Sequence, residues 1–139
     1  MKPRGLVSRW VLGWIPFGIA SALVFRGAIL SLEEIPAILA HIDDKAIHGI
    51  EYTALFLFSV NAFRRAAQPW LTVYSSRLAF GYCLGMGVVT EFVQIYVPGR
   101  SCDFYDWVAD ALGAATAWFI LSAAAGVMKI SRRASDELL

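Results

Sequence analysis

The sequence predicts an all-α membrane protein: a four-transmembrane-helix bundle with both termini cytoplasmic and a short amphipathic helix in the first outer loop. Three observations carry that reading. Of 139 residues, 58% are hydrophobic, with a mean hydropathy of +0.60, where soluble domains average about 45–50% apolar. Four stretches approach the roughly 20 apolar residues that a membrane-crossing helix needs. Basic residues gather at alternate ends of those stretches. The length suits one domain, residues 1–139. A net charge of +1 gives no argument for a nucleic-acid partner.

The first span covers residues 10–25, interrupted by Pro16 and small residues, and ends near Arg26. Lys2, Arg4 and Arg9 precede it as in a signal peptide, but no small-residue cleavage pattern follows, so the span is expected to be retained. In the loop beyond, Ile35, Ile38, Leu39 and Ile42 recur at i, i+3, i+4 and i+7, with Glu33, Glu34 and Pro36 at the start. That one-sided stripe predicts a short helix on the outer surface or over the mouth of the bundle. The second span, 46–63, reaches full length only if His48 and Glu51 lie within it. The third, 78–97, contains Glu91, and its Gly81, Gly85 and Gly87 suggest close helix packing. The fourth, 106–128, contains Asp110 and is preceded by Asp103, a good N-cap. A disordered tail is expected after Ser131.

Orientation follows from Lys and Arg, which stay cytoplasmic. Nine of the twelve fall on one side: Lys2, Arg4 and Arg9, then Arg64, Arg65 and Arg77, then Lys129, Arg132 and Arg133. Arg26, Lys45 and Arg100 fall on the other. Cys83 and Cys102 lie toward opposite ends of the third span, too far apart for a disulfide, and are expected to be free thiols.

Polar residues inside the spans are the strongest functional signal, because a charge in lipid costs several kcal/mol at least. Counted from the cytoplasmic ends, Glu51 and His48 lie about 18 and 22 Å up, Glu91 and Gln94 about 20 and 24 Å, and Asp110 about 27 Å. All stand in the outer half of a roughly 30 Å core. Asp44, His48 and Tyr52 share one helical face at i, i+4 and i+8, with Glu51 beside it. The partners available to Glu91 are His48 and Arg100. Lys45 can pair with Asp44. Arg100 follows Pro98-Gly99, a turn signature; it can clamp the loop through Asp106, or offer a bidentate grip to a phosphate or carboxylate.

The segment DDKAIHGIEYTALFLF carries D-K-x-x-H-x-x-x-Y at Asp44, Lys45, His48 and Tyr52. The segment TEFVQIYVPGRSCDFYDWVADALGA carries E-x-x-Q at Glu91 and Gln94, then Pro98-Gly99-Arg100, then Asp106, Asp110 and Gly113. Over residues 44–120 the chain resembles the VanZ-like integral membrane proteins, departing from a common family pattern in having Asp rather than Asn at 110. The resemblance implies a multi-pass protein of the bacterial inner membrane, N-in and C-in. It also implies a link to low-level resistance against the glycopeptide teicoplanin, in a family whose biochemical activity is largely undefined.

Three functions compete. The first is an outer-leaflet site that binds or modifies a membrane lipid or lipid-linked envelope component through Lys45, Tyr52, Gln94, Arg100, Asp106, Asp110, Asp44 and Glu51. An excess of acids argues against an anionic ligand there. The second is a membrane-embedded enzyme. His48 and Glu91 would act as an acid–base pair, or His48, Glu91, Asp106 and Asp110 would hold a divalent cation, Mg²⁺ or Mn²⁺ by ligand type. The third is a small proton-coupled transporter or assembly scaffold, acting as a homo-oligomer because four helices enclose little space.

Overall fold

The computed structural model describes residues 10–31 and 43–136, with side chains to residue 129. The amphipathic helix expected over residues 33–42 lies outside the described residues. Everything described is helix or short connection, with no strand. A π-helical turn, Trp10–Trp14, runs directly into α1 (Ile15–Ile29); Pro16 has no N–H to give the Leu12 carbonyl four residues back, and Asn61 bonds that oxygen instead. Next come α2 (Asp44–Arg64), a single-turn α3 (Pro69–Val73), α4 (Ser75–Gln94) and the long α5 (Phe104–Asp136).

Among the described residues, two helical stretches are long and apolar enough to cross a membrane, Trp10–Ile29 and Phe104–Lys129. At 1.5 Å per residue, α2 and α4 are also about 30 Å long, but their polar residues set them apart. The boundaries depart from expectation in two places. The third expected span, α4, ends at Gln94 rather than Val97, because residues 95–99 form a turn through Pro98 in which Gly99 takes φ 77°, a conformation that favours glycine. The tail does not break at Ser131; α5 continues to Asp136. α3 was not foreseen, although Pro69 at its first position was a usable signal.

Helices next to each other in sequence run in opposite directions. At one end Asn61 on α2 donates to the Leu12 carbonyl (2.6 Å) and Arg65 Nε donates to Asn61 Oδ1 (2.8 Å). Midway, Tyr82 on α4 donates to Ser21 on α1 (2.8 Å). At the other end α2 and α5 begin together and run parallel in the most extensive helix contact of the molecule. Gly49 and Gly113 make that contact possible: a Cβ on Gly113 would overlap the Gly49 carbonyl oxygen. Small residues let backbones approach in this way where lipid removes the usual hydrophobic drive. Gly81 and Gly85 do not serve this purpose, since nothing lies within 4 Å of where their Cβ atoms would be. In the third helix only Gly87 is packed, against Trp107 and Asp110.

The core between α1, α2, α4 and α5 is small. Tyr52, Leu55, Phe56 and Cys83 are fully buried among Ala79, Ala114 and Ala117. The surface inverts the soluble pattern: Leu23 is 63% exposed and Phe119 74%, while Glu91, Gln94 and Asp110 are each under 5%. A protein facing water would pay for both features at once.

Candidate functional site

The N-termini of α2 and α5 meet at one end of the bundle, and both are capped by aspartate. Asp43 accepts from the Ala46 N–H (3.3 Å), and Asp103 accepts from the Tyr105 N–H (2.8 Å). Each cap satisfies one otherwise orphaned donor. Lys45 then spans the two helices, donating to Asp106 (2.9 Å) and Asp103 (3.2 Å) rather than pairing with its neighbour Asp44. Those hydrogen bonds, Asp106 first, hold the Lys45 ammonium above its usual range. The Tyr105 N–H first, and Lys45 second, hold Asp103 below its own.

One turn deeper, the Gly49–Gly113 contact sets His48 opposite Asp110. His48 Nδ1 lies 2.8 Å from Asp110 Oδ1, and both residues are buried. Asp110 Oδ2 lies over Gly87 and has no hydrogen-bond partner. The sequence offered Glu91 as a partner for His48; in the structure Glu91 instead accepts the Asp103 N–H through Oε2 (2.8 Å). Its other oxygen, Oε1, meets Gln94. With the amide oriented to suit both neighbours, Gln94 donates to Glu91 Oε1 (3.1 Å) and accepts from Arg100 Nη2 (2.6 Å). A relay from the Asp103 backbone through Glu91 and Gln94 therefore aims the Arg100 side chain. Tyr52 is a core aromatic whose hydroxyl reaches Thr90 Oγ1 (3.1 Å). Since Thr90 also approaches the Gly87 and Met86 carbonyls (3.0 and 3.1 Å) as donor, the Tyr52 hydroxyl is the donor to Thr90.

A cavity of about 80 Å³ opens between α1, α2, α4 and the loop before α5, room for several waters or one small polar group. Asp44, His48, Glu51, Tyr52, Gln94 and Arg100 line it. Lys45, Glu91, Asp106 and Asp110 stand behind that wall, engaged with one another and the backbone. Of the lining groups, Arg100, Asp44 and Glu51 have no ion-pair partner among the described residues. Thr90 and Gly27, which also line it, were not singled out from sequence. Thr90 was detectable as a small polar residue beside Glu91 within an apolar run. Gly27 had no signal, because its part is to leave space beside Glu51, whose Oε1 lies 3.5 Å from where its Cβ would be.

The cation expectation shifts in its ligands. A ring nitrogen of His48 and one carboxylate oxygen each from Asp44 and Asp106 lie within 4.8 Å of one another. Glu91 and Asp110 fall outside that group; Asp110 instead supports His48 from behind, as carboxylates do behind metal-bound imidazoles. Both cysteines are free, Cys83 buried and Cys102 exposed. Partial desolvation first, and the Glu91 carboxylate second, hold the Cys102 thiol above its usual range.

A family model described as VanZ/LLP1 matches residues 6–125. No curated protein and no solved structure matches the chain.

Proposed function

This chain belongs to the VanZ/LLP1 family, and we propose that it is a four-span inner-membrane protein whose outer-side cavity binds the phosphate-bearing headgroup of an envelope lipid. Membership and two span-length apolar helices make it a membrane protein. The alternating helix directions support four crossings. The clustering of Arg64, Arg65, Arg77 and Lys129 at the end remote from the cavity supports cytoplasmic termini.

The observation that carries the reading is Arg100. It is a guanidinium on the cavity wall, aimed by Gln94 and with no carboxylate partner among the described residues. A planar fork held at one nitrogen keeps its remaining donors for a phosphate. The excess of acids weighs less than the sequence suggested. Asp103 and Asp106 are occupied by Lys45, Asp110 by His48, and Glu91 by a backbone N–H and Gln94. A protein that holds an envelope lipid at the outer leaflet acts where a glycopeptide meets its target, a route to teicoplanin-type resistance. The test is titration of detergent-purified protein with short-chain phosphatidylglycerol. Arg100→Ala is expected to weaken binding about tenfold, the loss for one charge-assisted hydrogen bond. Equal affinity with an unchanged melting temperature overturns the reading.

A second reading, a divalent cation held by Asp44, His48 and Asp106, is favoured by their spacing alone and is opposed by Lys45 already bound to Asp106. One imidazole with two carboxylates suits Mn²⁺ or Zn²⁺. Saturable Mn²⁺ binding lost in His48→Ala supports it; no binding removes it.

A further inference from the structure

The cavity has a neighbouring hollow with which it shares two lining residues. Glu51 and Val24 line it and also line a second, larger hollow of about 430 Å³ that runs along the lipid-facing side between α1 and α2. That groove is walled by Pro16, Ile19, Leu23, Ala54 and Phe58, and Glu51 is shared between the two hollows. From Val24 to Pro16 it extends about 12 Å along the helix. That is about the length of one leaflet's share of a roughly 30 Å hydrocarbon core, and the groove straddles the midplane, since its Glu51 end stands about 18 Å from the cytoplasmic boundary.

The charges at the polar end are unequal. Of the three lining groups with no ion-pair partner among the described residues, one is a cation, Arg100, and two are acids, Asp44 and Glu51. A purely anionic headgroup would satisfy Arg100 and leave both acids facing a like charge. A headgroup with an ammonium beside its phosphate answers both signs. The order along the site matches the order along such a lipid. The groove takes a chain, Arg100 lines the adjoining polar cavity, and Asp44 lines the same cavity at its exposed rim, in the first turn of α2.

Resting on the headgroup reading above, we infer that the ligand is a zwitterionic phospholipid. One chain lies in the groove between α1 and α2, its phosphate meets Arg100 and its ammonium meets Asp44. The groove accounts for affinity through apolar burial, and the rim accounts for selectivity.

The test uses mass spectrometry of the intact protein in detergent micelles loaded with short-chain phosphatidylethanolamine, short-chain phosphatidylglycerol or chain-free phosphoethanolamine. The wild type is expected to prefer phosphatidylethanolamine over phosphatidylglycerol by about threefold to fivefold, the scale of one solvent-exposed ion pair. Asp44→Asn is expected to abolish the preference. Ala54→Phe fills the groove and is expected to weaken both lipids about tenfold while sparing phosphoethanolamine, since it displaces chain methylenes from apolar contact. If that variant fails to fold, Leu23→Trp at the exposed rim of the groove serves instead. Phosphatidylglycerol binding as well as phosphatidylethanolamine overturns the ammonium assignment and leaves the headgroup reading standing. Lipid binding unaffected by either groove variant overturns the chain assignment. Failure of both lipids to bind overturns the headgroup reading itself.

Discussion

His48 and Asp110 face each other across the parallel pair α2 and α5 with almost no water between them. Removing one partner of a buried pair leaves the other's desolvation uncompensated. His48→Ala is therefore expected to cost about 3–5 kcal/mol in thermal unfolding in detergent, while His48→Leu with Asp110→Leu regains most of it. An unchanged melting temperature in His48→Ala would mean that the pair does not hold the helices together. The outer ion cluster behaves differently, because it is half exposed. Lys45, raised above its ordinary 10.5, contributes stability below that value and loses it as pH rises through its folded value. Asp103, lowered from 3.8, contributes above 3.8 and loses it as pH falls through its folded value. Between those limits stability should not vary with this cluster. In melting curves followed by circular dichroism across pH, Lys45→Met should fall below the wild type by a small margin between those limits, and the gap should close as pH falls through the folded value of Asp103. The identity and depth of these residues were legible in the sequence, but their pairing was not. Rise per residue fixes height along a helix, while Lys45 reaching Asp106 and His48 reaching Asp110 depend on rotation about the axis and on which helix is the neighbour.

At the scale of elements, the Gly49–Gly113 crossing sets the site. It lets the two N-termini converge and places Lys45 and His48 one turn apart against Asp106 and Asp110. Gly113→Ala must push α2 and α5 apart, because the Cβ meets backbone rather than a flexible side chain. It is expected to cost at least about 1–3 kcal/mol. Gly81→Ala meets open space and should leave the melting temperature unchanged or higher. Equal effects from the two would refute the packing account. Sequence reading found one close-packed glycine, Gly87, of the three it expected in that span and missed the Gly49–Gly113 crossing, since three glycines in one span are conspicuous and a single glycine on each of two helices is not. It found both Asp103 and the turn at Pro98-Gly99, where local chemistry decides the structure. It stopped the last helix near Ser131, where a charged tail had no apolar signal to report.

For the whole molecule, the inverted surface, the two span-length helices and the family all point to a membrane. The proposed ligand adds a stricter requirement: the cavity must open on the outer side. Two native cysteines provide a measurement of that. Cys102 is exposed on the loop that carries Arg100, and Cys83 is fully buried, giving an internal control. Because the Cys102 thiol sits above its ordinary 9.0, labelling should be slow at neutral pH and quicken as the medium becomes alkaline. Intact cells, with any outer envelope layer permeabilised, are treated with a membrane-impermeant maleimide under mildly alkaline conditions, and the protein is then isolated. The account predicts label on Cys102 before the inner membrane is broken, and none on Cys83. Label on Cys102 only after lysis would put the cavity on the cytoplasmic side and contradict the account.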